Sequence, residues 1–249
     1  MRVVAIIVAA IVLFAAGCTT VAVYPGDPVK AAIANADLGA KYLESGDLKR
    51  AKAKLEKALK SDDENAKANF YYAILLSRTK QPEEAEDHFL KATKFAPDET
   101  HYNDIFGIFL CKIGRLEDAN VQFAVSATSA FNQTPEFSYN NAGSCAMSFG
   151  EIASAEQQIR KALRQNPRFT PALLNMVEIL LEQEKYEIAD AYYLRYLKYG
   201  NHTADSLWLG IQIKRYLGDH IATEAFGLRL KSDFPQSRET LLYLESKQL

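Results

Sequence analysis

The four histidines, which are the side chains most often used for catalysis and metal binding, are scattered along this chain. No two of them stand at the three-to-five-residue spacing of metal-binding pairs, and no His-Glu-x-x-His motif occurs. A glycine-rich phosphate loop and a nucleophile elbow are also missing. The histidines are His88, His101, His202 and His220. We therefore expect no enzyme activity, no metal or other cofactor, and no small-molecule substrate.

The overall charge argues against one large class of partners. The 249 residues include 29 Lys+Arg and 31 Asp+Glu, which gives a formal net charge of -2 at pH 7. Nucleic-acid binding needs a basic stripe that neutralises phosphates, and a nearly balanced chain gives no sign of one. We therefore expect no nucleic-acid partner.

The elements that would position any site come from a repeat of about 34 residues. Small residues recur where two paired helices would touch, because a larger side chain would overpack the contact. Glycines recur in the turn between the two helices, and prolines recur where the second helix should end. The small residues are Ala51, Ala85, Ala119, Ala155 and Ala189, the glycines are Gly46, Gly114, Gly150 and Gly218, and the prolines are Pro97, Pro167 and Pro235.

This pattern resembles the tetratricopeptide repeat, in which each helix pair buries its apolar faces against the next pair. The resemblance implies an all-α fold, a superhelical solenoid of about six helix pairs over residues 31–249. A short insertion around Asn132 to Pro135 interrupts the period. We expect residues 237–249 to form a C-terminal capping helix with a polar outer face, which keeps a terminal unit soluble.

The amino terminus is typical of an export signal. A charged residue precedes an apolar run that ends before Cys18 and is too short for an ordinary membrane span. The ending Ala15-Ala16-Gly17-Cys18 resembles a bacterial lipobox, whose cysteine is lipidated and becomes the first residue after cleavage. The resemblance implies a signal peptide over residues 1–17 and a lipidated tether over residues 18–30. Alternatives are an ordinary cleaved signal and a tilted anchor helix.

An exported protein enters an oxidising compartment, where Cys111 and Cys145 can form a disulfide. They lie on the first helices of adjacent units, which pack side by side, so their sulfur atoms can come within bridging distance. We expect a disulfide between them. The alternative is a pair of small buried packing residues.

Four segments narrow the resemblance to one family. Residues 107–111, 141–145, 206–210 and 234–237, together with the lipobox, look like the PilF/PilW lipoproteins of type IV pilus biogenesis. Members are six-repeat outer-membrane lipoproteins that act as pilotins for the secretin, the ring through which the pilus leaves the cell. The resemblance implies a chain held by lipid on Cys18 at the outer membrane, facing the periplasm. There it would bind the type IV pilus secretin and promote its localisation and multimerisation.

Two other functions stay open at this stage. One is a tetratricopeptide lipoprotein of the machinery that inserts outer-membrane β-barrels, which has the same architecture and anchor. The other is a scaffold that recruits a cell-wall enzyme. The identity of the bound partner distinguishes these functions from secretin assembly.

The repeat class also implies where a partner binds, because its first helices line the concave surface. In the first three units this surface is apolar, and an exposed apolar groove is usually an interaction site. A helix or extended segment of the secretin would occupy it, with Phe70 as the main anchor. Alternatively, curvature buries these residues against one another and the partner docks on the convex side. The predicted groove residues are Ile33, Leu43, Phe70, Ile74 and Ile108.

Overall fold

A computed structural model describes residues 27–247, and every regular element in that range is an α-helix. The predicted signal peptide and Cys18 lie outside the described residues. None of the helices within residues 27–247 is long and apolar enough to cross a bilayer. The helices are α1 Pro28–Glu44, α2 Leu48–Ser61, α3 Ala66–Arg78, α4 Pro82–Phe95, α5 Thr100–Lys112, α6 Leu116–Thr128, α7 Pro135–Ser148, α8 Ile152–Gln165, α9 Thr170–Glu182, α10 Tyr186–Leu197, α11 Ala204–Tyr216, α12 His220–Asp233 and α13 Arg238–Glu245.

The first twelve helices form six successive pairs, and the thirteenth closes the array, which confirms the predicted all-α solenoid. In each pair the first helix, here called the A helix, packs along the second, the B helix, from α1 with α2 to α11 with α12. Each B helix also packs on the next A helix, and α13 covers both α11 and α12. Buried side chains therefore form clusters that neighbouring units share, as a solenoid requires.

The turn between the A and B helices uses a left-handed residue in every described pair. Four of the six positions are glycine, which reaches positive φ without a steric penalty. Lys80 and Glu184 take the same place in the second and fifth pairs, with φ of 60° and 57°. Both residues therefore adopt a backbone conformation that L-amino acids rarely take. The glycines are Gly46 (φ 80°), Gly114 (88°), Gly150 (73°) and Gly218 (72°).

Close approach within a pair depends on a small residue of the A helix facing a large one of the B helix. At Gly143 in α7, an added Cβ would lie 2.5 Å from Cδ1 of Ile159 in α8 and 3.3 Å from the carbonyl oxygen of Ala155. At Gly107 in α5, it would lie 2.6 Å from the ring of Phe123. A methyl group at either position would have to displace the facing side chain or the helix that carries it, since the core is close-packed.

The start of the solenoid differs from the predicted boundary. α1 begins at Pro28, so residues 28–30, which we assigned to the tether, are helical. The side chain of Asp27 accepts hydrogen bonds from the backbone N–H groups at the start of this helix, and proline suits a first helical turn. The capping signal, rather than the repeat register, sets this boundary.

The closing helix has a mixed outer face, so the prediction of a polar one is wrong in part. α13 buries Thr240 and Tyr243, whereas Leu241 and Leu244 remain exposed. The ring of Tyr243 fills the space above Gly227 in α12, where a Cβ would have no room. One stripe of an eight-residue helix is enough to cover the last pair.

Candidate partner-binding surface

The A helices form one continuous surface, which we call the A-helix surface. α1 packs beside α3, α5 beside α7, α7 beside α9, and α9 beside α11, while α3 meets α5 through the stacked rings of Phe70 and Tyr102. Polar side chains also join successive A helices. Nζ of Lys67 in α3 donates a hydrogen bond of 2.5 Å to Asp37 in α1, and Asn175 in α9 donates one of 2.9 Å to Asn140 in α7.

Two of the predicted groove residues are not on this surface. Leu43 is 2% exposed and Phe70 is 4% exposed, so their assignment to an open groove is wrong. The reason is the side chains that surround them: rings from α4 and α5 enclose Phe70, and Leu43 packs in a buried cluster with apolar residues of α2 and α3. Leu43 and Phe70 are therefore buried against their neighbours, as in the alternative considered above.

Phe70 belongs to an aromatic cluster between the second and third units. Its ring stacks on that of Tyr102 in α5, with centroids 4.1 Å apart, and meets Phe89 in α4 edge-on at 6.2 Å. His101 covers it from another side at 5.4 Å. Such pairs add stability beyond the area they bury, so Phe70 holds the two units together.

Three of the predicted groove residues are accessible on the A helices. Ile33 in α1 is 47% exposed, while Ile74 in α3 and Ile108 in α5 are half-buried. Ile108 lines a cavity of about 250 Å³ between α5 and α7, together with Ser144 and Ser148. Of the five predicted groove residues, these three therefore remain accessible to a partner, whereas Leu43 and Phe70 do not.

The wall of the same cavity contains Cys111 and Cys145, which the structure joins in a disulfide. The two Cα atoms lie 6.0 Å apart, and the cysteines are separated by 34 positions in the chain. Cys145 is buried, and Cys111 is half-buried. The bridge links α5 to α7 near the carboxyl-terminal ends of both helices.

The carboxyl-terminal part of the A-helix surface holds a larger cavity that the sequence reasoning did not single out. It has a volume of about 440 Å³ and lies between α11 and α13, with Trp208, Arg215 and Leu242 in its wall. The ring of Tyr216 borders it and stacks on Tyr186, with centroids 4.0 Å apart. The one tryptophan of the chain was a usable signal, but the wall that α13 contributes was not visible from the repeat.

Two carboxyl groups on the A-helix surface have raised pKa values. Burial raises the pKa of Asp104 in α5, and hydrogen bonds from Ser138 and Ser126 oppose the rise. Its Oδ2 accepts a bond of 3.0 Å from Ser138, while Oδ1 has no hydrogen-bond partner among the described residues. Burial likewise raises the pKa of Glu178 in α9, and repulsion by Asp205 adds to it.

The four histidines lie in different elements, which are α4, α5, the connection after α10, and α12. His88 lies 2.7 Å from the side-chain oxygen of Asn69, and burial lowers its pKa. Across residues 27–247, no group of three or more His, Cys, Asp or Glu side chains is placed to hold a metal ion. The A-helix surface therefore offers apolar contacts, hydrogen-bonding side chains and cavities, which are the features of a protein-binding surface.

The outer side of the solenoid has exposed apolar side chains of its own on the B helices. Leu90 in α4 is 50% exposed and Val121 in α6 is 57% exposed. Any binding experiment has to distinguish these positions from the A-helix surface. They also provide matched controls of the same side-chain type.

Comparison with known proteins supports the assignment of the repeat. Tetratricopeptide-repeat family models match residues 42–105 and 138–169. The structure of MamA superposes with a TM-score of 0.56 over 68% of this chain and 91% of that chain, at 20% identity, which is a likeness of fold alone. The fold is therefore a tetratricopeptide-repeat superhelical solenoid.

Closer relatives come from type IV pilus systems. The chain is homologous to the type IV pilus assembly protein PilF of Pseudomonas aeruginosa, with 27% identity over 202 residues, which is 81% of this chain and 80% of PilF. The solved structure of that PilF matches with a TM-score of 0.74 at 26% identity, over 88% of this chain and 99% of that chain. PilW, a widely conserved type IV pilus biogenesis factor, matches with a TM-score of 0.75 at 27% identity, over 86% and 99%.

Proposed function

We propose that this protein is an outer-membrane lipoprotein of type IV pilus biogenesis that binds the pilus secretin and promotes its localisation and multimerisation. The observation that carries the proposal is the homology with PilF, which extends over most of both chains. The match in structure includes 99% of the solved PilF chain, so nearly all of that chain has a counterpart here. The protein would act by binding rather than by catalysis.

The A-helix surface supports this role with accessible apolar side chains beside hydrogen-bonding groups. Ile74 and Ile108 are half-buried on neighbouring A helices, and a short apolar segment of the secretin would cover them. The cavity beside Ile108 would accept one of its side chains. The residues of contact in this proposal are Ile33, Ile74 and Ile108, while Leu43 and Phe70 shape the surface from beneath.

The double substitution Ile74→Glu with Ile108→Glu tests the surface. A charge at each accessible position opposes an apolar contact, since an unpaired charge is costly to bury. We expect loss of secretin binding in pull-down and loss of secretin multimers in the outer membrane. Leu90→Glu with Val121→Glu is the matched control on the B helices and should leave assembly at the parental level.

The test is conclusive only if both double variants fold. Thermal unfolding followed by circular dichroism checks this for each of them. A folded Ile74→Glu, Ile108→Glu protein that still assembles the secretin normally would refute binding at this surface. If the control variant alone lost assembly, the contact would lie on the outer side of the solenoid.

The anchor is tested separately. Lipid on Cys18 would hold the solenoid at the outer membrane, so Cys18→Ala should yield a protein absent from the outer-membrane fraction, with secretin distributed between the two membranes. Membrane fractionation with detection of both proteins measures this. An outer-membrane Cys18→Ala protein would contradict lipidation as the anchor.

A further inference from the structure

The second helix of the chain is far more basic than the protein as a whole. α2, Leu48–Ser61, carries six Lys or Arg residues and one acidic residue, Glu56. The chain has a formal net charge of -2, so this charge is local and balanced elsewhere. The basic residues are Lys49, Arg50, Lys52, Lys54, Lys57 and Lys60.

The helical period places most of these charges on one side. Lys49, Lys52, Lys57 and Lys60 are exposed, whereas Ala51, Leu55 and Ala58 point the opposite way into the core. We call the exposed side the α2 basic face. It is a solvent-facing surface of a B helix and is separate from the A-helix surface.

Within residues 27–247, few carboxylates neutralise this face. Arg50 pairs with Asp47 at 3.3 Å, and Lys52 pairs with Glu56 at 3.8 Å. No carboxylate of the described residues is within ion-pair distance of Lys49, Lys57 or Lys60. Their charges are therefore available to an anionic ligand.

The other B helices are less basic, and the most basic of them, α8, has three Lys or Arg residues and one acidic residue. α4 has four acidic residues and two lysines, and α6 has two acidic residues and no basic one. The repeat itself therefore does not require a basic helix at this place, since the same packing is achieved with acidic outer faces.

The position of α2 in the chain indicates which anion it meets. Cys18 and the Asp27 cap of α1 are nine positions apart, and extended chain spans at most about 3.6 Å per residue, or roughly 30 Å in all. A lipid on Cys18 would thus keep the first helix pair within reach of the membrane surface. Anionic phospholipid headgroups attract basic segments at such distances.

We propose that the α2 basic face binds the anionic phospholipid surface of the membrane in which the chain is anchored. This contact would turn the first unit toward the lipid and fix the orientation of the solenoid. The location of that membrane rests on the proposed function, but the affinity of the face for anionic lipid does not. Binding is electrostatic, so it falls as salt is raised.

The test uses residues 18–249 with Cys18→Ala, so that no lipid anchor contributes, and the fold is verified by circular dichroism. Cosedimentation is measured with vesicles of phosphatidylethanolamine and phosphatidylglycerol, and with vesicles of phosphatidylcholine alone. We expect binding to the first kind only. The triple variant Lys49→Gln, Lys57→Gln, Lys60→Gln should bind about 100-fold more weakly, because each basic residue near the surface contributes about a fivefold factor.

A matched variant removes the same charge elsewhere. Lys91→Gln, Lys198→Gln, Lys231→Gln changes three exposed lysines of other units and should stay within about twofold of the parent. Equal weakening by both triples, equal binding to both vesicle types, or no binding to anionic vesicles would each overturn the proposal. Because secretin and lipidation are absent from this assay, failure of the proposed function leaves its outcome unchanged.

Discussion

Replacing Phe70 by alanine separates a structural role for this residue from a role in partner binding. Its ring is 4% exposed and contacts Phe89, His101 and Tyr102 across two units. Phe→Ala changes in a core cost about 3 to 5 kcal/mol, which combines lost transfer energy with the cavity that remains. We expect Phe70→Ala to lower the free energy of unfolding by about that amount.

Urea unfolding followed by circular dichroism measures the change, with Ile74→Ala on the same helix as the comparison. Ile74 is half-buried, so its truncation should lower the free energy of unfolding by only about 1 to 2 kcal/mol. Secretin binding is measured on both proteins below the onset of unfolding. A Phe70→Ala protein of parental stability that had lost secretin binding would refute the burial argument and restore Phe70 as an anchor.

Three further changes follow from the geometry. Reducing the disulfide between Cys111 and Cys145 should lower the free energy of unfolding by about 4 kcal/mol, since this disulfide closes a loop of 34 positions. Two reactive thiols in the denatured, unreduced protein would show that no disulfide forms. Lys80→Gly and Glu184→Gly should each raise the free energy of unfolding by about 0.5 to 1 kcal/mol, because glycine adopts positive φ without strain. A lower melting temperature would contradict this prediction. Asp104→Asn should stabilise the protein at neutral pH, because burial raises the pKa of Asp104 in the folded state and its charged form is therefore unfavourable there. This gain in stability should vanish below the pKa that Asp104 has in the unfolded chain. A gain that grew on acidification would contradict the argument.

The fold was predictable because the repeat states it several times. Small residues such as Ala155 and turn glycines such as Gly150 recur with a fixed period, and each has one physical reason, close helix contact or positive φ. The boundary at Pro28 was missed because the cap formed by Asp27 is a local feature that the period does not contain.

The candidate site was less predictable, because a position in a repeat does not determine how deeply a side chain is enclosed. Phe70 and Ile74 both belong to the predicted face of α3, yet the first is buried and the second is half-buried. Which of them is enclosed depends on the size of the side chains that the next unit supplies, here Tyr102. The net charge was similarly uninformative about α2, since an average conceals a local concentration of lysine.

The most direct measurement is of what the A-helix surface touches in intact envelopes. A photocrosslinking amino acid placed at Ile74 or Ile108 should trap the type IV pilus secretin, and the same probe at Leu90 or Val121 should not. Mass spectrometry of the trapped species identifies the partner. Crosslinks from Ile74 and Ile108 to a β-barrel insertion component or a cell-wall enzyme, with none to the secretin, would contradict the proposed function.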